Sequence, residues 1–470
     1  MTESTTDIVN GTGRVGRVGR RSFLAAAGAA SATAGAIVVG GGLGFDRLAG
    51  ASPASPASPG DNGRGWGRPP RDLGLVPVRD QATGLELLKL PPGFEYTSYG
   101  WTGDMMDDGI ATPGLHDGMA AFRHGHTVRL VRNHEQGSLS GAFASGMTYD
   151  PMATGGTANL EFDLSRLEFT SSYASLAGTI RNCAGGPTPW GTWLSGEETT
   201  LVNGDVRHGY MFEVPADGTA SGRPLRGLGR FSHEAAAVDP ATGIVYLTED
   251  ATPSGFYRFV PDVPGDLEAG GTLQMAAIGA SSYVTYEDTG PRDYGTLTWV
   301  DVDQPDPGPG EPSTVSQGIA GGGAQFERLE GIWYHDGTIW FVATSGGPQR
   351  GQIFKHVPGS DTLELVFHSP GPDVLDSPDN ICVSPRGGLI LCEDGSGREY
   401  MHGLTPDGEI FRFAENNVVL TGERGFVGDF SGSEWCGATF EPIKGDWLFV
   451  NIQSPGITLA ITGPFKHIGL

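Results

Sequence analysis

The feature that most constrains this chain is a sequence unit that recurs six times between residues 117 and 453. Each unit has a polar or acidic residue, a short apolar segment, a tight turn, a second apolar segment and another polar or acidic cluster. A unit of this size cannot bury its own apolar face, so successive units are expected to pack around a common axis. The six units occupy residues 117–135, 183–198, 233–250, 330–345, 379–394 and 434–453.

Further apolar segments fit the four-stranded plan of a propeller blade. Helical periodicity is nearly absent after residue 50, and insertions explain the uneven spacing of the units, the largest running from Asp262 to Gln325. The sequence therefore predicts an all-β, six-bladed β-propeller, with five or seven blades as alternatives. The further segments follow four of the units, at residues 209–214, 255–260, 351–355 and 408–413.

The first 84 residues have a different character. Arg20 and Arg21 precede a Ser-Phe-Leu sequence and an apolar, Ala- and Gly-rich run, which is typical of a twin-arginine export signal. A membrane anchor is the alternative, but the run lacks the large apolar side chains that favour a bilayer span. A Ser-Pro-Ala repeat then begins an extended linker. We predict a signal peptide at 1–51, a linker at 52–84 and a propeller domain at 85–470.

Leader and charge together limit where the protein works and what it binds. The leader predicts a secreted or extracytoplasmic protein whose partner is the twin-arginine export machinery, with no stable membrane anchor. The chain has 55 acidic and 30 basic residues, a formal net charge of -25. Nucleic acid is excluded as a partner, because phosphate backbones are bound by basic surfaces. We expect a monomer.

The repeat predicts that acidic residues collect at one end of the propeller channel. The innermost strand of each blade begins at one mouth of the channel and the next strand returns to it, so both polar positions of a unit face that mouth. The alternative is that acids at strand ends cap turns and satisfy backbone donors. The expected inner ring is Cys183, Glu234, Glu330, Asp379 and Glu434, and the expected second tier is Glu135, Glu197, Glu198, Glu249, Asp250, Glu393 and Asp394.

So many carboxylates at one mouth would repel one another unless cations neutralised them. Oxygen-rich clusters suit calcium, and the single thiol of Cys183 admits a softer metal such as iron or zinc. The four cysteines show no paired zinc-site spacing. Cys382 and Cys392 flank a predicted hairpin and are expected to be buried apolar residues, whereas Cys183 begins a unit where other units carry acids. The sequence therefore predicts a central metal site.

Several motifs resemble the PhoX family of bacterial alkaline phosphatases over about residues 85–463. The resemblance implies a six-bladed propeller with a central cluster of iron (Fe³⁺) and calcium (Ca²⁺), acting on small phosphate monoesters. One segment departs from the longer members, at residues 248–256, which lack the acid-rich sequence expected there. The motifs are Pro-Trp-Gly-Thr-Trp-Leu-Ser-Gly-Glu-Glu at 189–198, Ser-His-Glu at 232–234, Asp-Ser-Pro-Asp-Asn at 376–380 and the twin-arginine leader.

The resemblance also assigns residues. It implies that Cys183 binds iron, with Glu197 or Glu198 as an acidic ligand. A positive side chain should clamp the phosphate, for which Arg350 and Arg386 are the candidates. Together with the ring, the predicted metal ligands are Glu135, Cys183, Glu197, Glu198, Glu234, Glu330, Asp376, Asp379, Glu393 and Asp394.

Two other functions fit an acidic, exported propeller. One is a calcium-dependent hydrolase of lactones or sugar acids, and the other is a non-catalytic secreted propeller whose calcium is structural. Neither alternative needs a thiolate ligand, so Cys183 discriminates between them and the iron-containing phosphatase.

Overall fold

Six antiparallel sheets surround a central channel in the computed structural model, which describes residues 71–348 and 350–470. Three short strands precede the blades: β1 (Val76–Val78), β2 (Leu88–Leu90) and β3 (Glu95–Tyr99). Blade 1 contains β4 (His116–His124), β5 (Thr127–His134), β6 (Gly155–Asp163) and β7 (Glu168–Thr179). Blade 2 is formed by β8 (Asn182–Pro187), β9 (Thr192–Glu197) and, after the hairpin of β10 (Val202–Asn203) and β11 (Val206–Arg207), β12 (Met211–Pro215).

Blades 3 and 4 share the long insertion. Blade 3 begins with β13 (His233–Val238), β14 (Val245–Glu249), β15 (Phe256–Val263) and β16 (Asp266–Ala277). The insertion continues with β17 (Arg292–Thr296), β18 (Thr298–Asp301) and helix α1 (Thr314–Ala320). Blade 4 contains β19 (Leu329–His335), β20 (Thr338–Ala343), β21 (Gln352–Val357) and β22 (Thr362–His368). Strand β18 becomes the fifth strand of blade 3, and β17 the fifth strand of blade 4.

The last two blades complete the circle. Blade 5 contains β23 (Pro378–Val383), β24 (Leu389–Glu393), β25 (Tyr400–Leu404) and β26 (Ile410–Asn416). A hairpin of β27 (Val419–Thr421) and β28 (Val427–Asp429) leads to blade 6, with β29 (Trp435–Phe440), β30 (Trp447–Ile452) and β31 (Ile457–Thr462), followed by helix α2 (Phe465–Ile468). Short 3-10 turns occur at Arg226–Leu228, Thr285–Glu287 and Glu423–Gly425.

The N-terminal strands close the propeller. Strand β3 pairs with β31 as the fourth strand of blade 6, and β1 and β2 extend the outer edge of blade 5 through β26. The inner strands of neighbouring blades pack against one another, and β29 against β4 completes their circle. The pairing of β3 with the last blade joins the N-terminal and C-terminal parts of the chain and closes the circle of blades.

The fold class predicted from the repeats is confirmed: the described chain is almost entirely β-structure in six blades. Its two helices have seven and four residues, and no helix of the described residues has the length and apolarity to cross a bilayer. The predicted signal peptide and the linker up to residue 70 lie outside the described residues. Residues 76–78 of the predicted linker form β1, so sheet structure begins before residue 85.

Apolar side chains fill the spaces between neighbouring sheets. The largest cluster lies at blades 5 and 6 and includes Trp101, Trp435 and Phe413. Cys382 and Cys392 belong to this cluster, which confirms that they are buried apolar residues. Burial raises the pKa of both thiols above the ordinary cysteine value, so both remain protonated in the core.

Candidate metal centre

A bulge near the start of each inner strand shapes the channel mouth, the end of the channel at which the inner strands begin. In every blade the pairing of the inner strand with the second strand shifts register there. A β-bulge breaks the regular alternation of side chains and re-aims one of them. In five blades a candidate ligand occupies the bulge: Asp117, Cys183, Glu234, Glu330 and Asp379.

Blade 6 differs because its bulge contains Gly437. The φ angle of Gly437 is 63°, and a Cβ atom there would lie 2.4 Å from the backbone oxygen of Asp117. This close approach leaves no room for a side chain. The carboxylate of blade 6 instead comes from Glu434, just before β29.

The donors of the six blades form one closed ring. The ligand atoms fall into five groups of three, and within each group they lie no more than 4.8 Å apart. Successive groups share a residue, and every member is buried except the half-buried Asp394. The groups are Asp117–Glu434–Cys436, Asp117–Glu135–Cys183, Cys183–Glu198–Glu234, Glu234–Glu330–Asp379 and Asp379–Asp394–Glu434. We call this set the donor ring.

The second tier comes from the residue that directly follows each second strand. Glu135, Glu198 and Asp394 occupy this position in three blades and belong to the donor ring. In the other blades the position holds Asp250, Thr344 and Gln453. The Nε2 atom of Gln453 donates to Asp117, Glu135 and Glu434 at 3.4, 2.8 and 2.6 Å.

The acidic residue that ends the second strand, one position before the second tier, points to the opposite face of the strand, because successive side chains of a strand alternate between its two faces. The carboxylate of Glu197 accepts from the backbone N–H groups of Ile180 (3.0 Å) and Gly209 (2.8 Å), and lies 2.6 Å from His208 Nδ1. Glu249 accepts from the hydroxyl of Tyr257 at 2.6 Å.

Glu393 follows the same rule, accepting from the backbone N–H groups of Asp376 (2.8 Å) and Tyr400 (3.2 Å). The structure therefore does not bring Glu197 or Glu393 to the donor ring as predicted. They satisfy backbone donors inside their blades, which was the alternative for acids at strand ends.

Three further predicted residues lie apart from the donor ring. Asp376 is half-buried and accepts from the backbone N–H of Ser396 at 3.1 Å. Arg386 lies in the turn between β23 and β24, at the opposite end of the channel, where Nη1 donates to the backbone oxygen of Leu470 at 3.0 Å. That geometry excludes Arg386 as a phosphate clamp. Arg350 is exposed in the loop after β20, on the mouth side, and its charge acts on Glu327.

Two arginines at the mouth escaped the sequence prediction. The Nη2 atom of Arg181 donates to Glu135 at 3.1 Å and to Glu198 at 2.7 Å. Arg328 forms a two-atom contact with Asp250 (2.8 and 3.2 Å) and donates to Glu330 at 2.6 Å. Each arginine stands two residues before a ring donor, and that spacing is the signal in the sequence that could have found it.

Both arginines have strained backbones, with φ angles of 51° for Arg181 and 45° for Arg328. Leu115 and Ser377 precede two other inner strands with φ angles of 49° and 50°. Non-glycine residues adopt this left-handed conformation at a cost of about 1–2 kcal/mol, and such positions cluster at functional sites. The same strained turn thus leads into four of the six inner strands.

Side chains of one blade hold the backbone of donor-ring residues in the next blade. The Nδ2 atom of Asn133 in blade 1 donates to the backbone oxygens of Cys183 (3.1 Å) and Ala184 (2.8 Å) in blade 2. Thr248 of blade 3 donates to Glu330 of blade 4 at 2.6 Å, and Asn451 of blade 6 donates to Asp117 of blade 1 at 2.7 Å. The ring therefore depends on contacts between blades, which hold its donors in place.

The donor set fits hard cations. Eight buried or half-buried carboxylates form the ring, and Glu330 Oε2 is buried without a hydrogen-bond partner among the described residues. Burial, with Asp250 and Asp379 nearby, raises the pKa of Glu330 well above its ordinary value. Arg328 contacts only Oε1 of Glu330, so an ionised Glu330 leaves Oε2 for a metal cation, and carboxylate oxygens are the ligands that calcium prefers.

The two thiols of the ring differ. Cys183 Sγ lies 3.3 Å from Glu234 Oε1, in the bulge of blade 2. Cys436 donates to the backbone oxygen of His116 at 3.0 Å, and burial raises its pKa well above the ordinary value. Cys183 lies against a carboxylate of the ring, whereas Cys436 contacts a backbone carbonyl, so Cys183 is the better placed metal ligand.

The family model described as Alkaline phosphatase PhoX matches residues 73–163 and 148–456. Among solved structures, Pseudomonas fluorescens PhoX in complex with vanadate, a transition state analogue, is 17% identical, covers 83% of this chain and 97% of its own, and superposes with a TM-score of 0.60. That likeness is one of fold.

A gluconolactonase from Xanthomonas campestris is 13% identical, with 85% of this chain and 100% of its own covered and a TM-score of 0.42. A search of curated protein sequences gave no match.

Proposed function

The chain belongs to the alkaline phosphatase PhoX family, and on that premise we propose that its donor ring holds the cations of a phosphate-monoester hydrolase exported from the cytoplasm. The family makes it a phosphoric monoester hydrolase built on a β-propeller. The metals, the phosphate-binding residues and the export route are the proposal. The single observation that carries it is the closed ring of overlapping donor groups at one channel mouth.

We assign the metals by ligand chemistry. The group of Cys183, Glu198 and Glu234 combines a thiol with two carboxylates and suits ferric iron, Fe³⁺. The Glu234–Glu330–Asp379 and Asp379–Asp394–Glu434 groups offer only carboxylates and suit Ca²⁺. When bound, such cations polarise the phosphoryl oxygens and neutralise their developing charge.

The chain itself supplies the positive charge that orients the phosphate. The guanidinium of Arg328 donates to Glu330, and the guanidinium of Arg181 donates to Glu135 and Glu198. The planar fork of an arginine matches two phosphate oxygens, which makes Arg181 and Arg328 the two candidates for the clamp. Arg350, exposed on the same face, is proposed as a residue that attracts the anionic substrate to the mouth.

The leader supports an extracytoplasmic location. Arg20 and Arg21 with the run that follows are typical of twin-arginine export, a route that carries folded proteins. A propeller whose ring is assembled from all six blades must fold before its metals bind, which agrees with that route. We propose a monomer that acts on small phosphorylated substrates outside the cytoplasm.

The test combines metal analysis with an activity assay on protein purified without chelators. We expect iron and calcium in the protein, visible absorbance from an iron–thiolate bond, and release of phosphate from p-nitrophenyl phosphate. A protein that contains only calcium, shows no visible band and opens a lactone instead would establish the lactonase alternative. Calcium without either activity would establish the structural alternative.

A further inference from the structure

We propose that apolar loops on one side of the channel mouth bind the alcohol portion of the substrate, so that monoesters of apolar alcohols are the preferred substrates. The inference rests on the function proposed above, because it names the substrate class of the same site.

Exposed apolar side chains concentrate at the channel mouth. Of eleven large apolar side chains exposed among the described residues, seven lie in the loops and short hairpins that join blade strands at this end. A concentration of exposed apolar residues at one end of the fold indicates a candidate binding surface. The seven are Met105, Leu139, Met152, Leu201, Val202, Val419 and Val427.

Four of the seven belong to two loops that contact each other, and we call these four residues the apolar wall: Leu139 and Met152 of loop 136–154, and Leu201 and Val202 of loop 199–210.

Direct contacts join the two loops. Asn203 donates to Asp150 at 2.7 Å, and the hydroxyl of Tyr149 donates to the backbone oxygen of Arg207 at 2.7 Å. Asp150 also lies 3.3 Å from His208 Nε2. The wall is therefore anchored at several points instead of being two independent loops.

The wall begins at the donor ring. Its loops leave the ring directly after Glu135 and Glu198, the two carboxylates that Arg181 joins. Leu139 follows Glu135 by four residues and Leu201 follows Glu198 by three. At no more than about 3.6 Å per residue, both apolar residues lie within roughly 15 Å of a ring donor. A phosphate held at the ring places its alcohol group within reach of the wall.

The two wall loops contain three charged residues, Asp150, Asp205 and Arg207, of which Asp205 is exposed and Arg207 donates to Asp306 at 2.7 Å. Loop 136–154 contains one charged residue, Asp150, which is buried and bonded to Asn203. Its hydroxyls bond to one another, Ser138 with Ser140 at 3.0 Å and with Thr154 at 3.2 Å. Such a surface offers apolar contact to an alkyl or aryl group but few hydroxyl partners to a sugar.

The experiment measures kcat/KM for n-alkyl phosphates from ethyl to octyl, with glucose 6-phosphate for comparison. We expect kcat/KM to rise by roughly 2- to 4-fold per added methylene over the first several carbons. Equal values across the alkyl series, or a preference for the sugar phosphate, would overturn the apolar wall while leaving the phosphatase function intact. Failure to release phosphate from every ester would overturn the proposed function itself.

The wall variant is Leu201→Ser with Val202→Ser, and its matched control is Ile443→Ser, an exposed residue in the β29–β30 turn at the other end of the channel. We expect the octyl-to-ethyl ratio of kcat/KM to fall at least about 5-fold in the wall variant and to remain unchanged in the control. The same ratio in both variants would contradict the assignment.

Discussion

At the scale of single residues, adjacent carboxylates have different roles. Glu197 ends β9 and bonds backbone donors within blade 2, whereas Glu198 follows it and joins the donor ring. The side-chain alternation of a strand separates them, although the two residues are chemically identical in the sequence. The same division holds for Glu393 and Asp394 in blade 5.

This pair gives a direct test. Glu198→Gln should lose bound metal and most activity, because a ring charge is removed. The free energy of unfolding of the metal-free protein should change little. Glu197→Gln should keep its metal but destabilise the fold by about 1–3 kcal/mol, because a buried acceptor of several N–H groups is altered. Elemental analysis and denaturant unfolding of both variants would check this, and metal loss confined to Glu197→Gln would contradict the assignment.

Cys183 supports a second prediction at this scale. Cys183→Ala should remove the visible absorbance and most phosphatase activity without unfolding the protein, because the ring loses its thiol but no backbone contact. The control is Cys382→Ala, which should keep colour and activity and lose about 1–2 kcal/mol of stability through a small core cavity. An active, fully coloured Cys183→Ala protein would refute the iron–thiolate site.

At the scale of elements, the bulge of each inner strand decides which side chain enters the channel. Five bulges carry a donor, and the sixth carries Gly437 beside the backbone of Asp117. A bulge interrupts the regular alternation of side chains along a strand. Which residue of the strand faces the channel therefore depends on how the strand pairs with its neighbour, and the two-residue period of the sequence does not reveal it.

Gly437→Ala tests the packing at the closing bulge. The added Cβ would meet the Asp117 oxygen at 2.4 Å and would adopt a φ angle of 63°, so we expect a loss of about 2–4 kcal/mol in the free energy of unfolding together with weaker metal binding. The control, Gly337→Ala, has a φ angle of 75° and open space, and should cost only about 1–2 kcal/mol without affecting metal. Equal losses would show that close packing at blade 6 is unimportant.

At the scale of the whole molecule, the donor ring joins all six blades around one charge cluster. Eight carboxylates stand against the guanidinium groups of Arg181 and Arg328, so the metal-free mouth carries an excess of negative charge. Cations bound to the folded state alone would relieve that repulsion and stabilise the propeller by mass action.

Chelation should therefore lower activity and Tm together. A single site with free ion at 100 times its Kd contributes about 2.7 kcal/mol, and the ring offers several groups. Added calcium should restore Tm better than magnesium, whose strict octahedral geometry suits a crowded carboxylate ring poorly. Calorimetry with and without chelator measures the effect, and loss of activity at unchanged Tm would show that the ions do not hold the blades together.

The sequence by itself determined the all-β class and the positions at which donors gather, and it favoured six blades over five or seven, because each is encoded locally: apolar strands alternate with turns, and acids recur at the same place in the units. The repeat alone therefore assigns Cys183, Glu234, Glu330, Asp379 and Glu434 to one ring, and all five belong to the donor ring.

Only the tertiary structure decided which of two adjacent acids faces the channel, that Arg181 and Arg328 lie at the mouth, and that Arg386 lies at the other end. It also decided that β3 closes blade 6, a pairing between residues more than 350 positions apart in the chain. The physical reason is that bulges, strand register and contacts between blades depend on partners distant in sequence, whose positions no local pattern of residues encodes.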